Sequence, residues 1–86
     1  MINIAIVNDY KLLREGLRVI LDEKNNIKII MESSNRQEFL EALRNTIVKP
    51  DIVLLDIRMP VLDGYVTTKF ISEKYPEMKI IVLTMH

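Results

Sequence analysis

The sequence contains no cysteine and no tryptophan, and only two glycines and three prolines in 86 residues. Without cysteine there is neither a disulfide framework nor a thiolate metal site, so the fold must rest on packing, which fits a reducing compartment. Twelve Lys and Arg balance twelve Asp and Glu for a formal net charge of zero. No stretch gathers the basic residues into a run, which argues against nucleic-acid binding by this segment. No apolar run approaches the roughly 18 residues of a membrane-spanning helix, and Met1 leads into Ile2–Val7 without the basic start and small-residue cleavage site of a signal peptide. The expected location is the cytoplasm. A chain this short, 49% hydrophobic and 28% charged, has room for one small domain over residues 1–86.

Three short apolar runs, 2–7, 52–55 and 80–83, are rich in β-branched residues and too short for helices, as expected of strands buried on both faces. A fourth, 27–31, is flanked by Asn25, Asn26 and Glu32, which suits a position nearer a sheet edge. Between the first two runs Leu13, Leu17, Ile20 and Leu21 recur on one helical face, with Arg14, Arg18 and Asp22 on the wet side. Asn35 followed by Glu38 has the form of a helix start, and Phe39, Leu40, Leu43 and Ile47 supply the stripe behind it. Asp63 is placed to cap a third helix from Gly64 to about Tyr75, which Pro76 stops. Its wheel sets Tyr65, Thr68, Ile71, Ser72 and Tyr75 toward the sheet and leaves Val66 and Phe70 in solvent. The order βαβαβαβ, with near-continuous apolar strands, predicts a three-layer α/β domain around a parallel sheet.

Ligands of an open parallel sheet bind at the carboxyl ends of its strands, so the residues that follow each apolar run carry the chemistry. These are Asn8 and Asp9 after the first strand, Asp56 and then Arg58 after the third, and Thr84 after the fourth. Carboxylates gathered on one edge repel unless a cation neutralises them. With oxygen donors, no cysteine and only the terminal His86, the suitable ion is hard. Mg2+ takes one or two carboxylates together with phosphate oxygens, which points to phosphoryl chemistry with Asp56 as the nucleophile. Arg58 is better placed to offer its backbone carbonyl than its charge. Taken singly, Asp9 reads equally as a helix cap, Asp56 as a solvated turn residue and Thr84 as a β-former. Their joint placement is what favours a site.

The segments IAIVNDYKLLREGLRVIL, PDIVLLDIRMPVLDG and IIVLTMH resemble the receiver domain of two-component response regulators, most closely receivers of the LuxR-type, helix-turn-helix class. The resemblance spans essentially the whole chain. It implies the flavodoxin-like receiver fold with strand order 2-1-3-4. It also implies phosphorylation of Asp56 by a sensor histidine kinase, Mg2+ held by Asp9, Asp56 and the Arg58 carbonyl, and Thr84 binding the phosphoryl oxygen. An output helix-turn-helix domain would regulate transcription. Two departures accompany it. The family's acidic pair after the first strand is Asn8 and Asp9 here, so Asn8 contributes to the metal weakly or through water, and weaker Mg2+ binding follows. A complete receiver also has a fifth strand and two more helices, whereas this sequence stops at His86, short of the family's lysine and aromatic switch residue. The expectation is an incomplete receiver over residues 1–86, with residues 80–83 as an unpaired apolar edge through which the chain self-associates.

Two other functions compete. A Mg2+-dependent phosphatase or phosphotransferase needs a second acid two positions after the nucleophile, and Arg58 stands there, so no enzyme is expected. A receiver remnant that takes no phosphate and serves as an interaction or dimerisation module is the alternative that Asn8 and the missing lysine favour.

Overall fold

The computed structural model describes residues 1–56 and 61–83; of residue 56 and residues 61–64 only the backbone is described. The chain runs β1 (Ile2–Asn8), α1 (Lys11–Asp22), β2 (Ile27–Ser33), α2 (Arg36–Asn45), β3 (Ile52–Asp56), α3 (Val61–Lys74) and β4 (Lys79–Val82). The four strands form one parallel sheet in the order β2-β1-β3-β4, as expected. β2 lies on an edge, and its pairing with β1 slips between Ile4 and Ala5 so that Ile30 is passed over. Such a bulge disrupts an edge strand's regularity. Asp51 ties the opposite end of the sheet together, exchanging backbone hydrogen bonds with Asn3 and Lys79 and accepting the Asn3 N–H on its carboxylate at 2.8 Å.

Alternation along the strands separates the two faces. Ala5, Val7, Val53 and Leu55 point to one side and pack with Phe39 and Leu43 of α2, Ile71 of α3 and Met78, with Met31, Leu40, Tyr75 and Ile80 around them. The opposite face of β1 is buried beneath α1, but cover is lost along the row Ile6, Leu54, Ile81, whose members pair in register. Ile6 is 1% exposed, Leu54 is half-buried and Ile81 is 46% exposed. Leu13, Leu17 and Leu21 of α1 are accordingly only half-buried. Among the described residues no helix is long and apolar enough to cross a membrane.

α2 begins as its sequence indicates, with Asn35 Oδ1 accepting the Glu38 N–H at 2.8 Å. Glu38 reaches back one residue further than a capping box requires, accepting from the Ser34 N–H at 3.0 Å and the Ser34 hydroxyl at 2.8 Å.

Several helical residues depart from the periodic expectation. Ile47 is 98% exposed and not part of the core. α2 ends at Asn45, and Thr46 adopts an extended φ of −92° and ψ of 143°, so Ile47 has left the helical register. Lys49 fixes that ending by donating to the carbonyls of Leu43 and Thr46, which supplies partners to a helix terminus that otherwise lacks them. In α1, Ile20 is exposed and Arg14 is half-buried, the reverse of the expected arrangement for both. A long side chain early in a helix leans toward the N-terminal turn, where Arg14 finds a carbonyl partner at the sheet edge.

α3 starts at Val61, so Asp63 lies inside its first turn and is not its cap. An acid suits either position, because the first-turn N–H groups carry the positive end of the helix dipole. Its buried face is Thr67 and Ile71, with Thr68 and Tyr75 half-buried, while Tyr65 and Ser72 are exposed. Apolar residues occur on every side of this helix, so periodicity alone could not choose the packed face. Val66 and Phe70 are exposed as expected, with Lys74 Nζ over the Phe70 ring at 5.6 Å from its centroid.

Leu43→Ala removes a fully buried side chain and is expected to destabilise by about 2–5 kcal/mol. Ile47→Ala, four residues on, is expected to stay within about 0.5 kcal/mol of the parent. Urea unfolding followed by circular dichroism measures both.

Candidate functional site

The carboxyl edge is assembled by the pairing of β1 with β3. Their register brings Val7 beside Leu55 and Asn8 beside Asp56, while β2 contributes Ser33 beside Val7. On the far side of β3, the Leu83 N–H donates to the Leu55 carbonyl at 3.0 Å and carries the chain past β4 toward the same edge. Asp9 and Asp56 are thus delivered by neighbouring strand ends.

Asn8 is 1% exposed. Its Oδ1 accepts the Tyr10 N–H at 2.6 Å, an Asx turn that bends the chain out of the sheet. Tyr10 then occupies the N-cap of α1, and its carbonyl accepts from the Leu13 and Arg14 N–H groups at 3.1 and 3.2 Å. The cap is therefore not Asp9, which precedes it with its carboxylate exposed. From the first turn of α1, Arg14 Nη1 donates to the Asn8 carbonyl at 2.5 Å. A second polar corner stands at the end of β2, where Ser34, Asn35 and Glu38 bond to one another. The Ser34 N–H, then the Ser34 hydroxyl, and to a smaller extent the Arg14 charge hold the Glu38 carboxyl below the usual range for glutamate. Among the described residues no buried side-chain polar atom lacks a hydrogen-bond partner.

The expected site residues are placed unequally. Asn8 ends β1, Asp9 lies on the β1–α1 loop, and Asp56 ends β3 with its side chain outside the described set. Arg58 and Thr84 lie outside the described residues. Among the described residues no group of three or more His, Cys, Asp or Glu is gathered. The donor set that the edge offers is oxygen throughout, and two acids on adjacent strand ends suit a hard divalent ion that keeps much of its water. Neither Arg14 nor Ser34 stands out in the sequence as a residue of this edge, and Glu38 reads there only as part of a helix start. The signal for Arg14 was its place in the first turn of the helix that leaves this edge.

The family model described as "Response regulator receiver domain" matches residues 4–86. This chain belongs to the receiver domain family. Similar curated proteins include the transcriptional regulatory protein LnrK of Bacillus subtilis, 40% identical over 98% of this chain and 37% of that protein. The response regulator UvrY of Escherichia coli is 37% identical over all of this chain and 38% of its own length. The chain therefore spans little more than a third of the curated relatives it matches. Among solved structures, RcsB of Salmonella enterica serovar Typhimurium, bound to promoter rprA in the presence of phosphomimetic BeF3-, superposes with a TM-score of 0.87 at 25% identity. All of this receiver and 71% of that chain are covered. The response regulator domain of Thermotoga maritima CheB gives 0.78 at 30% identity, over 95% of this chain and 59% of that one. The receiver's sheet order of 2-1-3-4 agrees with the receiver fold of these neighbours, and LnrK is a transcriptional regulatory protein by name.

The Glu38 shift has a consequence with a definite sign. A carboxyl whose folded pKa is lowered contributes stability above its unfolded value, about 4.5, and that stability is lost as the pH falls through the folded value. Glu38→Gln is therefore expected to lower the melting temperature at neutral pH and to converge with the parent receiver as the pH falls below the lowered folded value. Thermal scans of the two proteins across acid pH test this, and an offset independent of pH would contradict it.

Proposed function

We propose that this receiver is a phosphoacceptor switch in which Asp56 takes a phosphoryl group from a sensor histidine kinase. The observation that carries the reading is the β1–β3 register, which sets the Asp9 loop beside the strand-end Asp56 in a chain of this family. An Asp56 carboxylate oxygen attacks phosphorus, the new P–O bond forms an acyl phosphate, and the bond to the donor breaks with its electron pair leaving on the donor. Asp9, Asp56 and the Arg58 carbonyl would hold Mg2+, whose charge offsets that of the incoming group. Thr84 would bind a phosphoryl oxygen and register its arrival. Asn8 supplies one negative charge fewer than a second acid, and its Oδ1 is engaged by the Tyr10 N–H, so its part in metal binding is weak or through water.

The new charge biases an element that an output domain reads. The relatives' names as transcriptional regulators and the promoter-bound RcsB support a DNA-binding helix-turn-helix in that role. The segment itself gathers no run of basic residues, so the nucleic-acid contact is assigned to that output domain. We assign the protein to the cytoplasm.

Incubation with acetyl phosphate and Mg2+ followed by intact-mass spectrometry is the test. The parent protein is expected to gain one phosphoryl group, Asp56→Asn none, and Asp9→Asn much less at equal time. Absence of any adduct on the parent, or labelling that survives Asp56→Asn, would overturn the reading.

One observation favours a second function, as an interaction or dimerisation module. Among the described residues β4 pairs only with β3, and Ile81, Val82 and Leu83 are 46%, 49% and 38% exposed. Leu83 turns its N–H toward β3, so by the two-residue period Ile80 and Val82 direct theirs outward. A two-fold axis beside Ile81, midway between the strands and normal to the sheet, would match Ile80 with Val82 of a second copy in an antiparallel pair and keep each face of the sheet continuous. Self-association is accordingly expected at tens of micromolar by sedimentation, and Ile81→Lys is expected to abolish it. A parent protein that sediments as a clean monomer would exclude the module.

A further inference from the structure

The half-buried Arg14 has a position that its helix alone does not explain. Its guanidinium leaves the outer surface of α1 and donates through Nη1 to the last carbonyl of β1, at Asn8, 2.5 Å away. The same Asn8 holds the Tyr10 N–H through its side chain at 2.6 Å. Asp9 is therefore the exposed residue between two anchored neighbours, with the Asn8 carbonyl gripped on one side and the Tyr10 N–H on the other. The Arg14 charge also reaches Glu38, whose carboxyl organises Ser34 at the end of β2.

From this geometry we infer that Arg14 is a positioning residue: it braces the Asn8–Tyr10 turn so that the Asp9 carboxylate is presented to a divalent cation at the strand edge. The inference rests on the proposed metal-binding role of Asp9. A guanidinium near the site repels a cation, so any gain from Arg14 comes through geometry and must outweigh that repulsion. The two effects have opposite signs, which makes the direction of the change diagnostic. Arg14 also places five donors in a planar fork, whereas lysine offers a single mobile ammonium that can still reach a carbonyl.

Mg2+ titration followed through the backbone amide shifts of residues 8–10 tests this in the parent protein, Asp9→Asn, Arg14→Met and Arg14→Lys, all well below their melting temperatures. Arg14→Met is expected to weaken Mg2+ binding about tenfold, at the low end of the effect of removing a group that orients a metal ligand. It is also expected to speed hydrogen exchange of the Tyr10 amide, and Arg14→Lys is expected to recover part of both. A folded Arg14→Met protein that binds Mg2+ as the parent does, even with a lowered melting temperature, would reduce Arg14 to a stabilising contact and overturn the inference. Tighter binding would do the same by showing repulsion alone. If Arg14→Met does not fold, Arg14→Gln, too short to span to the carbonyl, is judged by the same criterion. If Asp9→Asn weakens binding and neither Arg14 variant does, the inference fails while the phosphoacceptor reading stands. If the parent itself shows no response to Mg2+, both fall.

Discussion

The parallel pairing of β1 with β3 is the constraint on which the rest of this receiver depends. It places Ala5 beside Val53 and Val7 beside Leu55, so the two central strands present one continuous apolar surface to Phe39, Leu43 and Ile71. The same register carries Asn8 to Asp56 one residue later. A slip of a single residue would turn each side chain of one strand to the other face of the sheet. Burial of the core and alignment of the strand ends that lead to Asp9 and Asp56 are therefore one event, and the apolar packing that stabilises the sheet also sets the position of its polar edge.

Beyond that edge the backbone must leave the sheet without losing its alignment, and polar groups do this work. The Asn8 side chain turns the chain at Tyr10, while Arg14 holds the Asn8 carbonyl from the following helix. At the neighbouring strand end, Ser34, Asn35 and Glu38 form a comparable knot. These bonds are short in sequence but close onto a long-range sheet, so the loops inherit the rigidity of the strands. Asn8 suits this buried place, since a neutral side chain accepts burial at lower cost than a carboxylate.

The two faces of the sheet are covered unequally. α2 and α3 close one side around residues that are almost wholly buried, whereas on the other side cover falls away from Ile6 to Ile81. The apolar surface on β4 and the half-buried stripe of α1 are consequences of that asymmetry.

Strand positions, the start of α2 at Asn35 and the stop of α3 before Pro76 were legible in the sequence, because β-branched runs, a capping side chain and a proline act locally. The candidate acids were legible for the same reason, each lying directly after an apolar run. Where α2 ends was less so. Ile47 continues the apolar spacing, but the Lys49 ammonium binds the last carbonyls and the backbone turns extended at Thr46. The packed face of α3 was not legible either, since Val66, Phe70, Ile71 and Tyr75 leave its pattern undirected and the sheet surface selected Thr67 and Ile71. Arg14 reads as a solvent-facing charge until the end of β1 is brought beneath it. The sequence by itself determined the elements, their order and the acids at the strand ends, because those depend on neighbours along the chain. The tertiary structure decided which helical faces are buried, where α2 stops contributing to the core, and which cation braces the acidic loop. Those outcomes depend on groups that meet only when the sheet has formed.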